Sequence, residues 1–175
     1  MTTEDQGYSK LSIALHWITA ISVIALFVTH EGERGSTAMM FHVGGGAVLG
    51  GILIWRVIRR PLRGFAEKPK QPAILNIIST LVLWALLIAI FVVTITGYLL
   101  PWSIGRPLEI FSVISIPSFM EGSRELHEAL EDIHDAAGHV IVPLVLLHIL
   151  GALKHLTWDK DGVMQRILRP IRNGR

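Results

Sequence analysis

Residues 133–156 read IHDAAGHVIVPLVLLHILGALKHL. Beyond Asp135 this stretch has no acidic side chain, and Lys154 near its end is its single lysine. A spanning helix needs about 20 mostly apolar residues, so the stretch is long and apolar enough to cross a bilayer. Two histidines, His134 and His148, stand 14 residues apart within it. Fourteen helical residues rise about 21 Å over nearly four whole turns. The two imidazoles therefore share one helix face, one toward each membrane surface. An ionisable side chain inside hydrocarbon is costly and marks a functional site by default.

Three other stretches have the same character, at about residues 11–29, 39–58 and 73–100. The chain of 175 residues is 51% hydrophobic and only 17% charged. A soluble domain carries about a quarter charged residues. The expectation is an all-α membrane protein, a four-transmembrane-helix bundle forming a single domain over 1–175. The first stretch is too long for the apolar core of a signal peptide, and no clear small-x-small cleavage site follows it. It is read as part of the mature protein. Pro61 and Pro101 are expected to follow the second and third spans, and Trp55, Trp102 and Trp158 to sit near span ends, where an amphipathic ring favours the interface.

Charge sets the expected orientation. The connection between spans two and three holds Arg56, Arg59, Arg60, Arg63, Lys68 and Lys70 against one acid, Glu67. The tail adds Lys154, Lys160, Arg166, Arg169, Arg172 and Arg175. The other two connections hold only Arg34, Arg106 and Arg124 as basic residues, and are acidic by count. The positive-inside rule then places both termini and the middle loop in the cytoplasm, which an even number of spans allows. Basic residues beside spans are explained by topology, so no nucleic-acid partner is implied. Val163, Met164, Ile167, Leu168 and Ile171 fall on one helical face of the tail. That pattern fits either a basic amphipathic helix on anionic lipid or a solvated tail. The long connection of about 101–122 is expected to cap the outer face. Ser123 is expected to N-cap the fourth helix, with Glu125 in its first turn and a kink at Pro143.

The chain has eight histidines and no cysteine. The lack of cysteine excludes disulfides, thiolate-ligated haem, iron–sulfur clusters and covalent haem attachment. By depth, His42 near the outer start of the second span matches His134, and His16 near the cytoplasmic start of the first matches His148. Two imidazoles facing across a bundle interior can ligate the iron of one haem, and imidazole is the commonest metal ligand at neutral pH. Two such pairs would stack two haems through the membrane as an electron path. His155 lies seven residues beyond His148 on nearly the same face. It is a rival partner for His16, or a contact for a haem propionate or, with Lys154, a quinone carbonyl. His127 is expected on a surface helix, and His30 and His139 in structural roles. The run His42-Val43-Gly44-Gly45-Gly46 with Gly50-Gly51 gives room either for a flat macrocycle or for close helix packing.

The opening Tyr8-Ser9-Lys10-Leu11-Ser12-Ile13-Ala14-Leu15-His16-Trp17 resembles the start of the bacterial cytochrome b561 family. So do Phe41-His42-Val43-Gly44, and Ile133-His134-Asp135 followed by Leu147-His148, His155 and Trp158. The resemblance covers about residues 8–170. It implies a four-helix inner-membrane bundle with two b-type haems, His16, His42, His134 and His148 matching the family's ligands. It also implies exchange of electrons with the quinone pool. Some members oxidise superoxide and reduce ubiquinone, and related cytochrome b subunits anchor hydrogenases and other dehydrogenases.

Two functions are therefore carried forward. One is a di-haem carrier between an outer-face donor and ubiquinone, in its specific form a superoxide:quinone oxidoreductase. The other is a membrane-anchor subunit relaying electrons for a periplasmic redox partner that docks on the acidic outer loops. Superoxide is an anion and would need a positive funnel, for which Arg34, Arg106 and Arg124 are the candidates. A small transporter using histidines as proton relays is disfavoured by the absence of intramembrane acids.

Overall fold

The structure, a computed structural model, describes residues 8–33, 35–62 and 69–168. Arg34, Arg63, Glu67, Lys68, Arg169, Ile171, Arg172 and Arg175 lie outside the described residues. Four helices are long and apolar enough to cross a membrane. They are α1 (Lys10–Thr29), α2 (Thr37–Leu62), α3 (Ala73–Ser103) and α4 (Arg124–Lys154). Hydroxyls start three of them. The Oγ of Ser9 accepts from the Ser12 amide at 3.3 Å, that of Ser36 from Met39 at 3.2 Å, and that of Ser123 from Leu126 at 3.3 Å. Each meets an amide that has no partner within its own helix. Ser123 and Glu125 thus take the expected places at the head of α4, which begins well before the apolar stretch.

Prolines correct two expected boundaries. Pro61 and Pro101 lie inside α2 and α3 and do not terminate them. A proline removes only its own bond to the preceding turn. In α3 only two residues follow Pro101, so little further backbone bonding is at stake there. Pro143 likewise sits within a continuous α4.

The helices pack in chain order around a ring, α1 on α2, α2 on α3, and α3 along α4. Backbone approach is most extensive between α3 and α4. On the far side α4 meets α1 and α2 chiefly through side chains. The buried core is small: Leu53, Ala89, Ile90 and Ile141, with Val23, Val57, Val93 and Val145 against it. Ile141 is seven residues from both His134 and His148. The core therefore forms an apolar layer midway along α4, between the two histidines. Many large apolar side chains, such as Ile21, Val28, Leu81 and Leu150, point outward. In water such exposure would be unfavourable, whereas in lipid it is the expected surface.

The connection after α3 contains a feature absent from the expectation of helices alone. Leu108–Ile110 (β1) and Ile114–Ile116 (β2) pair antiparallel, Leu108 opposite Ile116. Phe111 and Ser112 at the turn have φ of 51° and 57°, and the Val113 amide donates to the Ile110 carbonyl at 3.0 Å. Positive φ at both central residues is the tight hairpin turn compatible with strand twist, usually filled by Asn or Gly. Phe111 accepts this conformation where its ring and backbone seat on α2. A Cβ at Gly44 would come within 2.7 Å of the Phe111 amide nitrogen. Gly44 therefore makes room for the hairpin. Gly50 similarly receives Tyr98, whose hydroxyl donates to the Ala47 carbonyl at 2.7 Å.

After α4 the chain makes one π-helical turn, His155–Asp159, then passes Lys160 in a left-handed conformation to a short α5 (Gln165–Leu168). The tail expected to be amphipathic is described only as far as residue 168.

Candidate functional site

The rings of His42 from α2 and His134 from α4 face one another with centroids 6.1 Å apart. Near the other end of α4, His148 faces His16 of α1, again at 6.1 Å. These are the pairings expected from depth. Imidazole nitrogens bind a transition metal at about 2 Å, and the ring centre lies roughly 1 Å behind the nitrogen, so two axial imidazoles place their centroids about 6 Å apart. Both pairs have that spacing. All four rings are half-buried.

The outer pair is oriented by hydrogen bonds that leave the other ring nitrogen free. The His42 Nδ1 lies 2.8 Å from the Leu26 carbonyl, which can only accept. The His134 Nδ1 lies 3.0 Å from the Thr96 hydroxyl. That hydroxyl already donates to the Val92 carbonyl at 2.8 Å, so it accepts from His134. With a proton on Nδ1, the Nε2 of each ring keeps its lone pair for a metal. Gly97 lets the His134 ring approach α3, since a Cβ there would lie 3.1 Å from the His134 Cε1. Neither Thr96 nor Gly97 stood out in the sequence. Their one signal was a small and a hydroxylated residue side by side in an otherwise bulky apolar run.

The inner pair has a different neighbour. The Arg56 Nη2 lies 3.0 Å from the His16 Nδ1. A guanidinium only donates, so this nitrogen of His16 accepts. Arg56 read in sequence as one more topogenic charge, but its side chain turns into the bundle and its Nε is buried without a hydrogen-bond partner. Arg59 and Arg60 stay at the rim, over the Trp55 and Tyr8 rings.

The remaining histidines divide clearly. His155 turns to Asp161, 2.8 Å from its Nδ1, and to Asp159 at 3.1 Å, while Lys154 pairs with Asp159. His155, Asp159 and Asp161 are close enough together to hold a cation. As they stand, these side chains satisfy one another and fasten the π-helical turn. His127 is half-buried and differs from its expected surface role. Its Nδ1 lies 2.9 Å from the Ser103 hydroxyl and 3.1 Å from the Leu100 carbonyl, which ties the start of α4 to the end of α3. His30 and His139 form a third facing pair at 6.0 Å beside Phe27. No sequence pattern signals this pairing, because the two residues come from the end of α1 and an exposed side of α4.

A family model described as prokaryotic cytochrome b561 matches residues 7–170. The chain belongs to the prokaryotic cytochrome b561 family. It is also similar to cytochrome b561 homolog 2 of Escherichia coli (strain K12), 25% identical over 179 aligned positions that cover 95% of this chain and 94% of that protein. As a member of the cytochrome b561 family, the chain is a multi-pass bacterial membrane protein and a b-type cytochrome of electron transfer. Haem b binding follows from that membership, and the facing imidazoles are the donor set such a cofactor requires.

Proposed function

We propose that this cytochrome b561 holds two haems, one between His42 and His134 and one between His16 and His148, and carries electrons across the membrane between an outer-face donor and the quinone pool. The observation that carries the reading is the repetition of one 6.1 Å imidazole spacing at both ends of α4. Haem iron supplies one-electron chemistry by cycling between its ferric and ferrous states. The chain's own part is to hold each iron by two neutral imidazoles, to fix the rings, and to keep water out. The Leu26 carbonyl and the Thr96 hydroxyl fix the outer rings. The layer of Leu53, Ala89, Ile90 and Ile141 excludes water between the two levels.

The proposed orientation has both termini in the cytoplasm, supported by Arg56, Arg59 and Arg60 at the end of α2. Ubiquinone is the proposed membrane partner. Superoxide as donor is supported by resemblance and not by charge: Arg124 is already paired with Glu128 at 2.7 Å. Loss of superoxide oxidation on neutralising Arg106 or Arg124 would support that donor, and no turnover of superoxide by the wild type would remove it. Co-purification of a periplasmic redox subunit would instead favour the anchor role.

The test is a reduced-minus-oxidised spectrum with haem quantification on the wild type and on single alanine variants at positions 16, 42, 134, 148 and 155. The expected result is two haems per chain, one lost with either member of a pair, and both kept in His155→Ala. Full haem content in His16→Ala or His134→Ala would sink the ligand assignment.

A further inference from the structure

Arg56 is a permanent cation on a membrane helix, half-buried, with one nitrogen wholly enclosed and unpartnered. Among the described residues it forms no ion pair with a carboxylate. Its visible acceptor is the His16 Nδ1. A buried charge is retained where it meets an opposite charge, because the desolvation cost is otherwise uncompensated. A neutral imidazole does not meet that need. Nor does the contact survive ligation: an imidazole bound to iron through Nε2 carries its proton on Nδ1, and that nitrogen can then no longer accept. Once His16 serves as a ligand, two of the guanidinium's donor nitrogens, Nη2 and Nε, lack acceptors. These adjacent nitrogens form one edge of the planar fork, the arrangement that pairs with a carboxylate through two parallel hydrogen bonds.

We propose that Arg56 binds a propionate carboxylate of the inner haem, anchoring that haem and offsetting its charge within the membrane. The proposal rests on the haem reading of His16 and His148. Arg59 and Arg60 are poorer candidates, because Arg59 reaches the Ser12 hydroxyl and the Trp55 ring, and Arg60 the Tyr8 hydroxyl and ring. Among the described residues the outer pair has no counterpart: its Nδ1 atoms face acceptors and leave no cation beside them waiting for an anion. The two haems should thus differ in how much of their retention depends on a propionate.

The experiment follows transfer of haem from the purified protein to apomyoglobin. It compares wild type, Arg56→Gln and Arg56→Lys, each loaded with natural haem or with haem dimethyl ester, whose propionates carry no charge. With natural haem, Arg56→Gln is expected to release the inner haem at least tenfold faster than wild type, with the outer haem unchanged and Arg56→Lys in between. With the ester, wild type and Arg56→Gln should release it at the same rate. Redox titration gives a second readout. Loss of the positive charge favours the ferric state, so the inner haem of Arg56→Gln should titrate lower, by about 59 mV for a tenfold change in a one-electron equilibrium. An unchanged release rate, or an equal acceleration with natural and esterified haem, overturns the proposal. If Arg56→Gln fails to accumulate, natural and esterified haem compared in wild type and Arg56→Lys make the same distinction. His16→Ala tests the underlying reading separately. Retention of the inner haem there removes that reading and this proposal together, whereas its loss there with normal release in Arg56→Gln removes the proposal alone.

Discussion

The outer and inner histidine pairs have the same ring spacing and opposite surroundings. Each pair places its centroids 6.1 Å apart. Around the outer pair, fixed acceptors on α1 and α3 hold both rings with Nδ1 protonated. Around the inner pair, a guanidinium donates to His16 instead. On the proposed ligand assignment, the outer pair is thus preorganised for a metal. On the same assignment, the inner pair has to exchange a hydrogen bond when the metal binds, and Arg56 is the group left over. The same ring spacing can be set with a preorganised shell or with a charge held in reserve, and the two haems of the proposed reading should differ accordingly in retention and potential.

The largest disturbance of this comparison is expected from Gly97→Leu. A Cβ at that position already lies 3.1 Å from the His134 ring, so a branched side chain would drive the imidazole off its line. Haem quantification should show the outer haem lost and the inner haem kept. Next is Gly44→Ala, whose added Cβ would meet the Phe111 backbone at 2.7 Å. Overpacking of this kind costs roughly 1–3 kcal/mol. A lower thermal midpoint in detergent would register it, and a matching midpoint for Gly51→Ala would sharpen it, since nothing lies within 4 Å of a Cβ there. Thr96→Val keeps the shape and removes the acceptor for the His134 Nδ1–H. Loss of such a support weakens metal affinity about tenfold or more, so the outer haem alone should be released faster and titrate higher. The smallest effect belongs to Arg124→Gln. Its partner Glu128 and Arg124 itself are 58% and 91% exposed, and such a pair contributes under about 1 kcal/mol. A measurable loss of stability there would show that the start of α4 depends on its surface charges more than on Ser123.

Much of this architecture was legible in one dimension. Hydropathy marked the four spans because the bilayer imposes a length and a polarity that no packing detail overrides. The 14-residue interval in α4 placed His134 and His148 on one face because helical rise and pitch are set by the backbone. Depth then matched His42 to His134 and His16 to His148, with His155 left as a rival for His16. Span ends were less legible, since a proline such as Pro101 breaks a helix only when enough helix remains beyond it. The hairpin was missed because its turn uses Phe111 and Ser112 in place of the residues that announce one.

Tertiary structure alone decided what surrounds each ring. The partners of the imidazoles come from sequence separations of 16, 38 and 40 residues, which no local pattern encodes. Arg56 shows this most plainly. In sequence it is one of several arginines at a span end, indistinguishable from Arg59 and Arg60. In the fold the three share one face of α2, since residues three and four apart stack on the same side, and Arg56, one turn further into the bundle, reaches His16 where Arg59 reaches Ser12 and Arg60 reaches Tyr8. The identities and intervals of the residues were enough to say that this chain spans a membrane with facing histidines. Only the packing of four helices against one another could say which nitrogen each histidine offers, and which charge stands next to it.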